Sequence, residues 1–156
     1  MKPPTAAPVD VFRPDVTVAT VVPRDGRLLF VEERVRGALV LNQPAGHLDA
    51  GESLVEAALR ETREETGWEV RLSHFIGLYR WDAPDGSAFI RVAFAAEPLR
   101  HDAGLPLDHG IERVLWLTPG ELREATPRLR SPLVAGVVDD WLGGARLPLS
   151  AVRSFL

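Results

Sequence analysis

Hydrophobic positions along the chain change period several times, and each change marks an element. Residues 15–22, DVTVATVV, run with hardly a polar break and are rich in β-branched side chains, which predicts a buried strand. Pro23-Arg24-Asp25-Gly26 then reads as a turn, with Asp-Gly as its signal. Residues 27–35, RLLFVEERV, predict the returning strand, and a short apolar run follows at 39–41. Ser53 with Glu56 three positions on is a capping box, and Gly67 is a natural C-terminal cap, so the spacing predicts a helix between them. Strand patterns return at 70–81 and 88–96, joined by Ala83-Pro84-Asp85-Gly86-Ser87, before a polar loop at 100–110. Residues 113–117, RVLWL, predict a further strand and 119–125 a short helix. SPLVAGVVDDWL at 131–142 predicts a helix with Ser131 as N-cap and Pro132 at its first position, ended by Gly143-Gly144.

Strands interleaved with a few helices predict an α/β (α+β) fold with a mixed sheet covered on both faces. There are no repeats and no second-domain linker. Residues 1–14 hold four prolines and read as a loose arm. Residues 15–145 form the expected single domain, and residues 146–156 a C-terminal segment that packs either on its own domain or on a neighbour.

The helix at 53–67 carries an unusual charge pattern. RETREE places Glu61, Glu64 and Glu65 in its last two turns. At about 100° per residue, Ala57, Arg60, Glu61, Glu64 and Glu65 share one side. Val55, Ala58, Leu59, Thr62 and Thr66 share the other, which is expected to pack on the sheet. Like charges three and four positions apart repel, and the negative end of the helix dipole adds to the repulsion. Together these cost about 1–2 kcal/mol, a noticeable part of a marginal stability. A solvated face neutralised by Arg60 and Arg63 would explain an isolated pair of glutamates. Three carboxylates on one face also match what a hard divalent cation requires, and such a cation would turn the repulsion into attraction. The Ala45-Gly46 loop could add a backbone carbonyl. Mg²⁺ typically takes a few carboxylates and keeps its remaining positions for water and substrate phosphates. The residues therefore point to a Mg²⁺ or Mn²⁺ site serving phosphate chemistry.

Composition removes several alternatives. The absence of cysteine excludes disulfides, thiolate metal sites and cysteine nucleophiles. A net charge of −4 with scattered basic residues argues against a nucleic-acid surface. MKPPTAAPVDVFRP has no apolar core of a secretory signal, and no run approaches the roughly 20 apolar residues of a membrane span. A soluble cytoplasmic protein is the expectation.

Gly46, Glu52, Arg60-Glu61, Glu64-Glu65 and Gly67-Trp68 stand at the spacing G-x5-E-x7-R-E-U-x-E-E-x-G-U. This stretch resembles the Nudix box, with Thr62 departing at a usually aliphatic position and Trp68 a bulky choice at the last one. The resemblance implies a mixed sheet sandwiched between α-helices, with the box as loop–helix–loop. It implies that Glu61, Glu64 and Glu65 hold Mg²⁺ (or Mn²⁺ in its place), with the Ala45 carbonyl as a further ligand. Arg60 would orient a glutamate, Glu52 would support the loop, and Gly46 and Gly67 would serve backbone geometry. Family members cleave diphosphate-linked compounds by attack of water on phosphorus, with cations stabilising charge on the attacking and leaving oxygens. A downstream carboxylate often adds a ligand or base; Asp108 and Glu112 are the choices, with Glu112 favoured.

Further segments, among them LNQPAGHL, WDAPDG, FIRVAFA, HGIERVLW and LRSPLV, resemble the NudJ-type phosphatase branch of that family. That branch implies release of inorganic phosphate from nucleoside di- and triphosphates, thiamine pyrophosphate and hydroxymethylpyrimidine pyrophosphate. An ADP-ribose or dinucleotide pyrophosphatase is the rival within the family. A non-catalytic nucleotide sensor is disfavoured because the box glutamates are complete. The expected partner is a small phosphate anhydride, with no nucleic acid or membrane, in a monomer or homodimer. Trp81 could stack on a base or belong to the core. Arg91 could reach a phosphate or the surface, and Gln43 could line the pocket. Arg130-Ser131-Pro132 offers donors at a helix start, as an anion site or an ordinary cap. His47, His101 and His109 are too scattered for a zinc trio. His74, Trp116 and Trp141 read as packing.

Overall fold

The computed structural model describes residues 10–156. Most of the expected arm, residues 1–9, lies outside the described residues, and 10–14 enter the first strand without regular structure. In chain order come β1 (Asp15–Val21), β2 (Pro23–Arg24), β3 (Arg27–Val35), β4 (Ala38–Asn42) and β5 (Ala45–His47). They are followed by α1 (Leu54–Thr66), β6 (Trp68–Asp82), β7 (Ala88–His101), β8 (Ile111–Leu117), α2 (Pro119–Glu124) and α3 (Pro132–Leu142). Single 3₁₀ turns occupy Thr126–Arg128 and Leu149–Ala151.

The first sheet has the order β5-β1-β7-β6 and is mixed: β1 and β7 run parallel, the other neighbours antiparallel. In the second sheet β3 pairs antiparallel with β2, β4 and β8. Alternate side chains of β1 and β7 feed two apolar layers. Val18, Val92 and Phe94 meet Ala57 and Ala58 of α1. Val21, Ala93 and Ala95 meet Val134, Val137 and Val138 of α3. The sheet is thus sandwiched between helices, as an α/β chain with both sheet faces apolar requires.

Several expectations shift at their edges. β6 and β7 form a longer hairpin than the hydrophobic pattern indicated, paired from Trp68–His101 to Asp82–Ala88. Main-chain pairing continues where the apolar alternation has stopped. Ion pairs Arg71–Glu97 (2.5 Å) and Arg100–Glu69 (2.7 Å) carry the polar end across the strands, so the loop starts at 102. In α1 the capping box and the left-handed Gly67 are both present. The packed face is rotated from the expected one: Ala57, Glu61 and Glu65 are buried together with Ala58, Thr62 and Thr66, while Val55 and Leu59 are half-buried. Alanine at 57 and 58 lets the helix approach the sheet closely. Thr62, the departure from an aliphatic box position, finds its partner in Thr20 of β1, hydroxyl to hydroxyl at 2.8 Å.

Ser131 occupies the N-cap position of α3, but its hydroxyl makes no cap hydrogen bond. Residues 147–152 pack on the domain itself, and 153–156 are exposed. Phe75 and Leu147 exchange two backbone hydrogen bonds of 2.9 Å, and Leu149 and Val152 pack on the α1-side core. Among the described residues no helix is long and apolar enough to cross a membrane.

Candidate active site

The C-terminal half of α1 faces β5, and the fit between them depends on Gly46. The Glu61 carboxyl packs onto its α-carbon so tightly that an added Cβ would lie 2.1 Å from Glu61 Cδ. One residue earlier, the Ala45 N–H donates to Glu65 Oε2 at 3.0 Å. A strand residue points its N–H and C=O to the same edge, so the Ala45 carbonyl also leaves β5 toward this group.

Arg60 gathers the box. Its guanidinium donates to both Glu52 oxygens at 2.9 and 2.6 Å, to Glu61 at 2.8 Å, to Glu64 at 3.2 Å and to the His47 carbonyl at 3.0 Å. Glu52 also accepts from the Asp49 amide at 2.8 Å. These hydrogen bonds hold the Glu52 carboxyl below its usual range, and raise Arg60 above its own. One cation thus links the loop before the helix to two of its glutamates.

The loop at 102–110 closes the other side. The last helical carbonyls lack partners within a helix, and this loop supplies them. Asp108 N–H donates to the Glu64 carbonyl at 3.0 Å, and Asp102 N–H to that of Gly67 at 2.9 Å. An added Cβ on Gly67, whose φ is 73°, would lie 2.8 Å from the Asp102 carbonyl. Docking brings the Asp108 carboxyl to the helix. One oxygen each from Glu61, Glu64 and Asp108 lie within 4.8 Å of one another. The favoured downstream acid, Glu112, is elsewhere: it points outward from β8 and pairs with Arg34 at 2.8 Å. Asp108 sits in the docked loop, and Glu112 on a strand face turned to solvent. Glu65 is adjacent but engaged with Ala45.

Burial dominates the electrostatics of the cluster. Burial, reinforced by Glu61, Glu33 and Asp108, pushes the Glu65 carboxyl up to about 9 against the Ala45 hydrogen bond. Burial also raises Glu61, against the pull of Arg60. Such carboxyls become a coherent group of oxygen donors when a divalent cation lies among them.

A cavity of about 310 Å³ opens from this cluster. Glu61, Glu65 and Asp108 line it, and so do Trp81 and Phe89. The two rings stack at 5.6 Å and 19° across the β6–β7 pair. Arg91, only 6% exposed, lines it as well, and burial draws its guanidinium down to about 10. Gln43 does not line the cavity. It is wholly buried behind Arg91, accepting from Nη1 at 3.3 Å and donating to the Val134 carbonyl at 2.9 Å. Arg130 and Ser131 lie on the cavity wall, together with Thr17, Glu33 and Asn42, which the sequence patterns did not single out. The sequence pattern put Thr17 and Glu33 on strands, and Asn42 just past an apolar run, with no sign of which face would meet a cavity.

The other singled-out residues stand apart. His101 stacks on Trp68 at 4.9 Å, Trp116 meets that ring edge-on, and Arg24 lies over both indoles. Trp141 is partly buried against the α3-side core, under Arg146.

The family described as NUDIX domain matches residues 11–136. The chain belongs to the Nudix family. Phosphatase NudJ of Escherichia coli strain K12 is 44% identical over 145 residues, covering 93% of this chain and 94% of that one. Phosphatase NudJ of Shigella flexneri matches to the same extent, 44% over 145 residues. A NUDIX hydrolase from Nitrosomonas europaea of known structure superposes with a TM-score of 0.90 at 39% identity, over 92% of this chain and 98% of that one. This Nudix protein is a hydrolase of phosphate anhydrides, and its acidic cluster is able to coordinate a divalent metal.

Proposed function

We propose that this Nudix hydrolase is a Mg²⁺-dependent phosphatase of small organic di- and triphosphates, releasing inorganic phosphate. Its substrates in this reading are nucleoside di- and triphosphates and the diphosphates of thiamine and hydroxymethylpyrimidine. The observation that carries the reading is one cavity lined both by carboxylates and by a stacked aromatic pair. Its volume, about 310 Å³, is within the roughly 300–1,000 Å³ of ligand pockets. Identity of 44% over nearly the whole chain to a protein named Phosphatase NudJ supports the same choice.

The residues fit the metal. Three carboxylate groups converge within 4.8 Å, the Gly46 cradle holds one in place, and Glu61 and Glu65 are both buried. Glu61, Glu64 and Asp108 would hold it, with Glu65 and the Ala45 carbonyl at its edge. Bound Mg²⁺ supplies Lewis-acid stabilisation of charge on the phosphate oxygens and activates water. Arg60 positions Glu61 and Glu64 through its hydrogen bonds while Glu52 holds Arg60. Asp108, which the 102–110 loop brings to Glu61 and Glu64, would complete that carboxylate set. Trp81 and Phe89 offer a ring face to the organic group, which sets the phosphorus against the carboxylates.

A product assay tests the proposal. The protein with Mg²⁺ is given thiamine pyrophosphate, hydroxymethylpyrimidine pyrophosphate, nucleoside di- and triphosphates, and ADP-ribose. Inorganic phosphate from the first groups is the expected result. AMP and ribose phosphate from ADP-ribose alone would replace the phosphatase reading with a pyrophosphatase one.

A further inference from the structure

β6 is the edge of the first sheet, and part of that edge is bare. The C-terminal segment pairs with it at Phe75, through Leu147. From Gly77 to Asp82, GLYRWD, no strand among the described residues lies on its outer side. An open row of main-chain donors and acceptors is a template for another strand, and proteins blunt such edges with bulges, proline or charge. This stretch has no bulge and no proline, and its two charges are of opposite sign.

Main-chain alternation shows which residues present their groups to that edge. The Ala83 N–H donates to the Ser87 carbonyl at 2.7 Å, so Ala83 points inward, toward β7. Successive residues of a strand turn their N–H and C=O to opposite edges. Trp81 and Tyr79 therefore also point inward, and Asp82, Arg80 and Leu78 outward. The side chains of these three outward residues share one face of the sheet, that of Val92, which stands opposite Leu78. Leu78 is 64% exposed there, and the Arg80 guanidinium lies 4.2 Å over the ring of Phe12, itself 49% exposed.

This edge is complementary to itself. Arg80 and Asp82 pair with each other at 2.8 Å within the chain, and both are exposed. Two copies set antiparallel about a two-fold axis through Trp81, perpendicular to the sheet, bring Arg80 opposite the partner's Asp82, and Asp82 opposite the partner's Arg80. Both residues of each pair have outward main chains, so each is a hydrogen-bonded pair that exchanges two N–H···O bonds. Opposite charges then face one another across the strands, which stabilises the ladder. Moving the axis to Arg80 or to Asp82 sets like charges against each other, so the charges select one register.

We propose that the protein forms a two-fold homodimer in which the Gly77–Asp82 edges of two copies join their sheets into one. The contact is short because the open edge is short. Leu147 closes it at Phe75, and past Asp82 comes the turn, where Pro84 has no N–H to give. Leu78 meets the partner's turn, which covers its exposed side chain. Trp81, which lines the cavity and stacks on Phe89, lies on the axis, so the partner's Trp81 stands beside it on the same face. The dimer thus joins the aromatic walls of the two cavities.

Sedimentation velocity of the full chain at about 100 μM, a concentration suited to a small interface, should give the mass of a dimer. Arg80→Asp alone and Asp82→Arg alone should each sediment as monomers, because each sets like charges across the axis. Mixed in equal amounts, the two variants should form a heterodimer, since every pair across the axis is again of opposite sign. A monomeric wild-type protein overturns the proposal. So does a dimer that survives in either single variant, or a mixture that stays monomeric. Hydrogen exchange on the wild-type protein tests the same ladder without a substitution. The main-chain amides of Arg80 and Asp82 should exchange about threefold or more slowly at about 100 μM than at about 1 μM, and equal exchange at the two concentrations overturns the proposal.

Discussion

Gly46 has no room for a side chain, and what occupies that room is the carboxyl of Glu61. An added methyl group would lie 2.1 Å from Glu61 Cδ. The clash is with the end of a flexible side chain, which can swing aside, so the backbone need not move. Gly46→Ala should therefore leave the fold nearly intact, with Tm within about 3 °C, while kcat falls by about a hundredfold or more as the carboxylate cluster loses its geometry. Thermal melting and steady-state kinetics on the same preparation check this, and normal kcat in a folded variant would detach Glu61 from the chemistry. At this scale the sequence was informative where spacing encodes geometry. Glu61, Glu64 and Glu65 could be placed on one helix end from their intervals alone. Asp108 could not be chosen over Glu112, because the choice depends on one backbone hydrogen bond, from Asp108 to the Glu64 carbonyl.

Between elements, polar groups join the strands to the segments that frame the cavity. Glu32 of β3 is buried, with a carboxylate shared between Arg113 of β8 (2.8 Å) and Arg128 of the turn before α3. These hydrogen bonds outweigh burial and hold the Glu32 carboxyl below its ordinary value of 4.5. A lowered carboxyl binds its proton more weakly when folded than when unfolded. Its contribution is present above pH 4.5 and is lost as pH falls through the folded value. Glu32→Gln should thus narrow the difference in Tm between pH 7 and pH 3.5 relative to wild type; an identical pH dependence in both would remove Glu32 as a contributor. The sequence showed β3 but not this junction, since EE at 32–33 reads as two solvated charges. The structure turns Glu32 to two arginines and Glu33 to the cavity. α1 shows the same limit. Its ends were legible from Ser53, Glu56 and Gly67, whereas its packed face was not, because Ala57 and Thr62 suit either side until Thr20 is placed opposite.

For the whole molecule, the cavity lies where the two sheets and the start of α3 converge, and a divalent cation would bind only the folded arrangement of Glu61, Glu64 and Asp108. Binding to the native state alone stabilises it by about 2.7 kcal/mol at a hundredfold excess over Kd. For a chain of this size that corresponds to about 5–10 °C in Tm. Mg²⁺ added to chelator-treated protein should give such a rise, and the rise should vanish in Glu64→Gln. An equal rise in that variant would place the metal elsewhere.

By itself the sequence determined the order and kind of most elements, the ends of α1 and the gathering of three glutamates in its last two turns. These are local properties, written in hydrophobic period, caps and intervals along one helix. Only the tertiary structure decided which distant groups join them. Asp108 arrives by docking of a loop, Arg91 becomes a buried cavity cation backed by Gln43, and Thr17, Asn42 and Ser131 come together around the same cavity. Those facts depend on which faces of separate strands meet, and no interval along the chain records that.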